Sequence, residues 1–107
     1  MKRDEKKIQE TLQEIAKSYC NGVKLIFCHK GTNRIGNRRF YDVYVLKDEY
    51  LYPFNPYLKD MGYKTNKDNN IILEGCGLDV VEYCARTINH YSLKFLNYEI
   101  ILRYYLI

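Results

Sequence analysis

Ile8, Leu12, Ile15 and Tyr19 recur at steps of three and four residues in an otherwise charged stretch. That spacing predicts an amphipathic helix over 3–20. Asn21-Gly22 is expected to end it, because glycine can take the left-handed cap. Residues 23–28 (VKLIFC) and 40–46 (FYDVYVL) carry strand patterning. In the second, Tyr41, Val43 and Val45 share one face while Asp42 and Tyr44 share the other. The two are expected to pair as an antiparallel hairpin across a long, glycine-containing loop, HKGTNRIGNRR. Lys47-Asp48-Glu49 reads as a turn. Within YLYPFNPYLKDMGY (50–63), Asn55 is the expected N-cap, Pro56 the first helical residue and Gly62 the C-terminal cap of a short helix. TNKDNN (65–70) is a polar turn leading into a strand over Ile71–Glu74. Val81, Cys84, Ile88, Tyr91 and Phe95, widened by Val80, then mark the stripe of a second long helix over about 79–95.

The last stretch, NYEIILRYYLI, is apolar on both faces if extended: Ile100, Leu102 and Tyr104 on one, Ile101, Tyr105 and Ile107 on the other. It reads either as a strand, buried centrally or offered at an edge for pairing in a homodimer, or as continued helix. Taken as a strand, it completes the order α-β-β-α-β-α-β. The expected fold is a single α+β domain over 1–107. Its sheet would be small and mostly antiparallel, of about four strands, with two longer helices and one short helix packed on one face.

Composition narrows this picture little. The chain has 107 residues and a formal charge of +4, mild for a dedicated nucleic-acid binder. Twelve of sixteen aromatics are tyrosine, a residue suited to shallow cores and contact surfaces. The opening MKRDEKK lacks the apolar core of a secretory leader, and no run reaches the ~20 apolar residues of a membrane span. A cytoplasmic protein with reduced thiols is therefore expected. The four cysteines (Cys20, Cys28, Cys76, Cys84) form no CxxC pair and fit no common zinc spacing. Cys28, His29, Cys76 and His90 are the one conceivable metal set, and no cofactor is called for. Cys84, on the helical stripe, reads as a small core residue.

Two places carry candidate chemistry. The first is Gly75-Cys76-Gly77, where a strand feeds a helix. Successive N–H groups there can cradle an anion, although Asp79 in the first helical turn supplies negative charge of its own. As a nucleophile, Cys76 would be helped by the helix terminus, opposed by Glu74 and Asp79, and dependent on a base. His29 is the better base, since His90 lies toward the far end of the helix. The plain alternative is a tight turn capped by Asp79. The second place is the basic loop, with Lys30, Arg34, Arg38 and Arg39 beside Gly31 and Gly36. Its guanidinium forks suit phosphate or carboxylate partners, including nucleic acid, a nucleotide or an acidic protein surface; a solvated turn is the alternative. If the strand at 71–74 pairs beside the hairpin, Arg34 or Arg39 is expected near Asp79.

These two stretches together carry a resemblance. GCGLD ahead of a helix resembles the GCGMD element of small proteins found in phage and prophage genomes. Those proteins carry, upstream, an SRSGMSR-type loop, a strand, and a small helix ending in a Gly-Tyr-type turn. NRIGNRR (33–39) lines up with the loop: Arg34, Gly36 and Arg39 match, Asn33, Ile35 and Arg38 replace serines, and Asn37 replaces methionine. Met61-Gly62-Tyr63-Lys64 sits at the Gly-Tyr turn. Gly75, Cys76, Gly77 and Asp79 match the last element, with Leu78 for methionine, so that the likeness covers roughly residues 23–95. The family has no established chemistry. The resemblance implies the context of small phage accessory proteins, many of which bind and block a host component. The expected role is a non-enzymatic binder that inhibits a host or defence component. An anti-CRISPR-like inhibitor of a nucleoprotein complex is one form of this. The alternative is a small-nucleotide binder or thiol-dependent hydrolase built on the GCG turn with Arg39. In either case no membrane partner is expected.

Overall fold

In the computed structural model the structure describes residues 2–19, 23–75 and 78–91. Helix α1 (Lys2–Tyr19) leads into strands β1 (Lys24–Asn33), β2 (Arg38–Lys47) and β3 (Tyr50–Pro53). The short helix α2 (Asn55–Asp60), strand β4 (Ile71–Glu74) and helix α3 (Leu78–Tyr91) follow. This is a small α+β fold with an antiparallel sheet of four strands, two longer helices and one short helix. The expected caps at 21–22, the GCG residues 76–77 and the C-terminal stretch 98–107 lie outside the described residues.

Strand β2 is the axis of the sheet. One of its edges pairs with β1 along the full hairpin, from Lys24↔Leu46 to Asn33↔Arg38. Its other edge is shared: β3 takes Tyr44–Lys47 and β4 takes Arg38–Tyr41. The sheet is thus three strands wide, with two short strands end to end in one lane. Period-2 alternation in β2 buries Arg39, Tyr41, Val43 and Val45 on one face, as the patterning predicts. Leu25, Phe27, Ile71 and Leu73 join them from the flanking strands. Leu12 and Ala16 of α1 and Val80, Val81, Cys84, Ala85 and Ile88 of α3 close the same core. Cys84 is fully buried in it, the space-filling role its stripe position predicts.

Three expectations are corrected. The long loop is mostly strand: β1 and β2 run on through Lys30–Asn33 and Arg38–Arg39, leaving a four-residue turn at 34–37. A shift in register between His29 and Gly31 absorbs the extra residue. The helical punctuation at 50–63 hides strand β3, whose four residues are too short to show a period. Finally, Asn55 is not the N-cap; Phe54 occupies that position without a side-chain cap, and Asn55 opens the helix next to Pro56.

Asn55 instead repairs the lane between β3 and β4. Its Oδ1 accepts from the Val43 N–H at 2.8 Å, while its Nδ2 donates to the Asn69 carbonyl (2.9 Å) and to Asp42 Oδ1 (3.1 Å). A side-chain amide here stands in for the missing strand residue, as a buried ladder group requires. The other end of α2 fits its expectation. Gly62, at φ 100°, follows the helix, Gly62 N–H bonds Lys59 O and Tyr63 N–H bonds Leu58 O, which is the paired pattern of a Schellman cap.

Candidate binding surface

The hairpin turn has one apolar side chain, and it points away from the core: Ile35 is 86% exposed. The turn around it is held from several sides. Asn33 Oδ1 accepts from Ile35 N–H (3.0 Å), and Asn37 N–H donates to Arg34 O (3.3 Å). Gly36 and Asn37 take positive φ angles of 83° and 52°, which glycine and asparagine tolerate best. From across the sheet, Gly75 N–H donates to Asn37 O at 3.2 Å. The tip is therefore a braced knob carrying Ile35 and Arg34.

The sequence grouped Lys30, Arg34, Arg38 and Arg39 as one basic loop, and the fold divides them. Lys30 Nζ lies 3.5 Å from Asp42 Oδ2. Arg38 Nε lies 3.3 Å from Glu74 Oε1, across the β2–β4 register. Arg39 is only 8% exposed and its Nη1 donates to the Gly75 carbonyl at 2.6 Å. Alternation explains the difference: Arg39 falls on the helix-facing side of β2, Arg38 on the open side. Among the described residues, Arg34 alone of the four has no side-chain hydrogen bond or ion pair.

The three stretches behind the family resemblance do meet. The hairpin start touches the end of β4 through the Arg38–Glu74 and Arg39–Gly75 contacts. The Gly-Tyr turn joins β4 through Ile72 N–H donating to Lys64 O at 3.1 Å. A small cavity of about 210 Å³ is lined by Tyr63, Lys64, Glu74 and Asp79 among others. Burial pushes the Tyr63 phenol above its ordinary value, and the Asp79 carboxylate pushes the same way. Asp79 stands in the first turn of α3, as expected. Strand β4 does pair beside the hairpin, and Arg39 reaches the Gly75 carbonyl rather than the Asp79 carboxylate expected near it.

For the thiol reading, Cys76 and Gly77 lie outside the described residues. Its proposed base, His29, is on β1, the strand on the opposite side of β2 from β4. Its Nε2 is 2.9 Å from Thr32 Oγ1, and its ring sits 5.3 Å from that of Tyr41. Two strand spacings, roughly 9–10 Å, separate β1 from β4. Of the conceivable metal set, Cys28 and His29 are adjacent on β1 and His90 stands in α3, while Cys76 lies outside the described residues. Among the described residues no group of three or more His, Cys, Asp or Glu side chains is placed to hold a metal ion. No helix of the described residues is long and apolar enough to cross a membrane.

Sequence reasoning passed over Ile35, treating it only as a replaced serine. The available signal was that it is the one aliphatic side chain in HKGTNRIGNRR. No protein-family model, curated protein or solved structure matches this chain.

Proposed function

We propose that this chain is a non-enzymatic binding protein that docks its β1–β2 hairpin tip into a cleft of a partner protein. The observation that carries the reading is Ile35, 86% exposed beside an Arg34 whose side chain has no partner among the described residues, on a turn braced by β4. A large apolar side chain held out in water by a rigid turn costs little entropy to immobilise on binding, which favours contact. Its chemistry fits an apolar socket rimmed by carboxylates, with Ile35 as the anchor and Arg34 as the charged neighbour.

The motif resemblance supplies the context. In this reading the chain is a phage accessory protein acting in the host cytoplasm, and its target is a host or defence component that it blocks, in the manner of an anti-CRISPR inhibitor. The rival reading, a nucleotide binder or hydrolase at the GCG turn, needs Arg39 open to a ligand. Arg39 is instead buried and bound to the Gly75 carbonyl.

Capture from host lysate with four proteins tests the proposal: the unaltered chain, Ile35→Asp, Arg34→Ser and Cys76→Ser. The expected outcome is a specific partner retained by the unaltered chain and Cys76→Ser but lost by the two tip variants, all four having the same unfolding midpoint. Equal capture by the tip variants overturns it, as does a turnover activity abolished by Cys76→Ser alone.

A further inference from the structure

A second surface has no part in the docking role. Helix α3 buries Val80, Val81, Cys84, Ala85 and Ile88 in the core. Tyr83, Arg86, Thr87 and His90 repeat at the same three- and four-residue steps on an adjoining stripe. With Tyr57 of α2, that stripe lines an open cleft of about 440 Å³. Its volume falls within the range of small-molecule sites, roughly 300–1,000 Å³.

The walls are set by neighbouring rings. Tyr57 stacks on the fully buried Phe54 (centroids 4.8 Å apart, planes at 27°), and Tyr83 leans on Tyr63 at 5.4 Å. Thr87 Oγ1 donates to the Tyr83 carbonyl at 2.9 Å, which leaves its oxygen available as an acceptor. Arg86 is exposed, and the single hydrogen bond of its side chain among the described residues is a long one, Nε to the Glu82 carbonyl at 3.4 Å. The terminal amines of that guanidinium, which lines the cleft, make no hydrogen bond or ion pair among the described residues. Two phenol faces beside an unspent fork form the pair of contacts that a flat ring carrying a phosphate requires.

We propose that this cleft binds a nucleoside monophosphate, with its base against Tyr83 and Tyr57 and its phosphate on Arg86. The phosphate is placed at Arg86 because a guanidinium fork matches phosphate oxygens. The proposal shares no residue with the hairpin tip and stands or falls apart from it.

Calorimetric titration of the full chain with adenosine 5′-monophosphate, adenosine and inorganic phosphate tests it. The monophosphate is expected to bind saturably below about 1 mM, within the affinity ceiling for a ligand of its size. Adenosine and phosphate each bind more weakly. Arg86→Gln, an exposed change that leaves the core intact, weakens the monophosphate by about tenfold or more. Tyr83→Leu and Tyr57→Leu each weaken it by about tenfold, and Arg34→Ser leaves it unchanged. No saturation by about 5 mM, equal binding of inorganic phosphate, or an Arg86→Gln protein that binds like the unaltered chain overturns the proposal.

Discussion

Neighbouring arginines on β2 should behave in opposite ways when each is cut to alanine. Arg38 forms an ion pair with Glu74 at 3.3 Å, but the two side chains are 47% and 55% exposed. Exposed pairs of this kind contribute about 0.2–1 kcal/mol, and the loss from Arg38→Ala belongs there. Arg39 differs in burial and partner. Its Nη1 bond to the Gly75 carbonyl ties β2 to the end of β4, and its stem lies on the helix-facing side opposite Leu73. A hydrogen bond from a charged donor nets about 1.5–3 kcal/mol. Lost packing of the stem adds to this, while release of the buried charge from its desolvation offsets part. Arg39→Ala should therefore cost about 2–3 kcal/mol, and Arg39→Met, which keeps the stem, about 1 kcal/mol. Urea unfolding reads the difference: with a slope of about 1.5 kcal/mol/M, Arg39→Ala moves the midpoint by roughly 1.3–2 M and Arg38→Ala by at most about 0.7 M. Equal midpoints for Arg38→Ala and Arg39→Ala would refute the division of the basic cluster into scaffold and surface. The same result would reopen Arg39 as a ligand-binding residue. If the division holds, a double alanine variant loses partner binding through its fold, and only Arg34 and Ile35 report on docking.

Two further outcomes follow from local geometry. Asp48 and Glu49 turn β2 into β3 with φ angles of 52° and 66°, a conformation that suits glycine at the second position. Glu49→Gly should raise stability by about 0.5–1 kcal/mol in thermal unfolding, and a loss of about 1 kcal/mol would show that the turn carries no strain. The Tyr63 phenol is raised by burial and by Asp79, so its contribution to stability is complete below the ordinary phenol range and is lost as pH rises through the raised value. Compared with Tyr63→Phe across about pH 9–11.5, the unaltered chain should lose stability more steeply; parallel curves would remove Tyr63 as the cause.

Periods of 3.6 and 2 are local, and each places a stripe without any partner in view. That is why the two long helices, the inward set Tyr41, Val43 and Val45, the buried Cys84 and the Gly62 cap were legible from residues alone. The α+β class followed from the order of those segments. The length of the hairpin was not legible, because polar residues such as Thr32 and Arg38 extend a strand only when another strand offers hydrogen bonds. Nor was β3, whose four residues depend on pairing with Tyr44–Lys47. The fate of each charged side chain was decided last. Composition put four cations within ten residues, but only the alternation of a paired strand and the arrival of β4 turned Arg39 inward to Gly75, set Arg38 on Glu74 and left Arg34 with Ile35 at the tip. Local pattern selects elements because backbone geometry repeats along the chain. Which side chains remain open to a partner depends on neighbours distant in sequence, and only the folded chain supplies them.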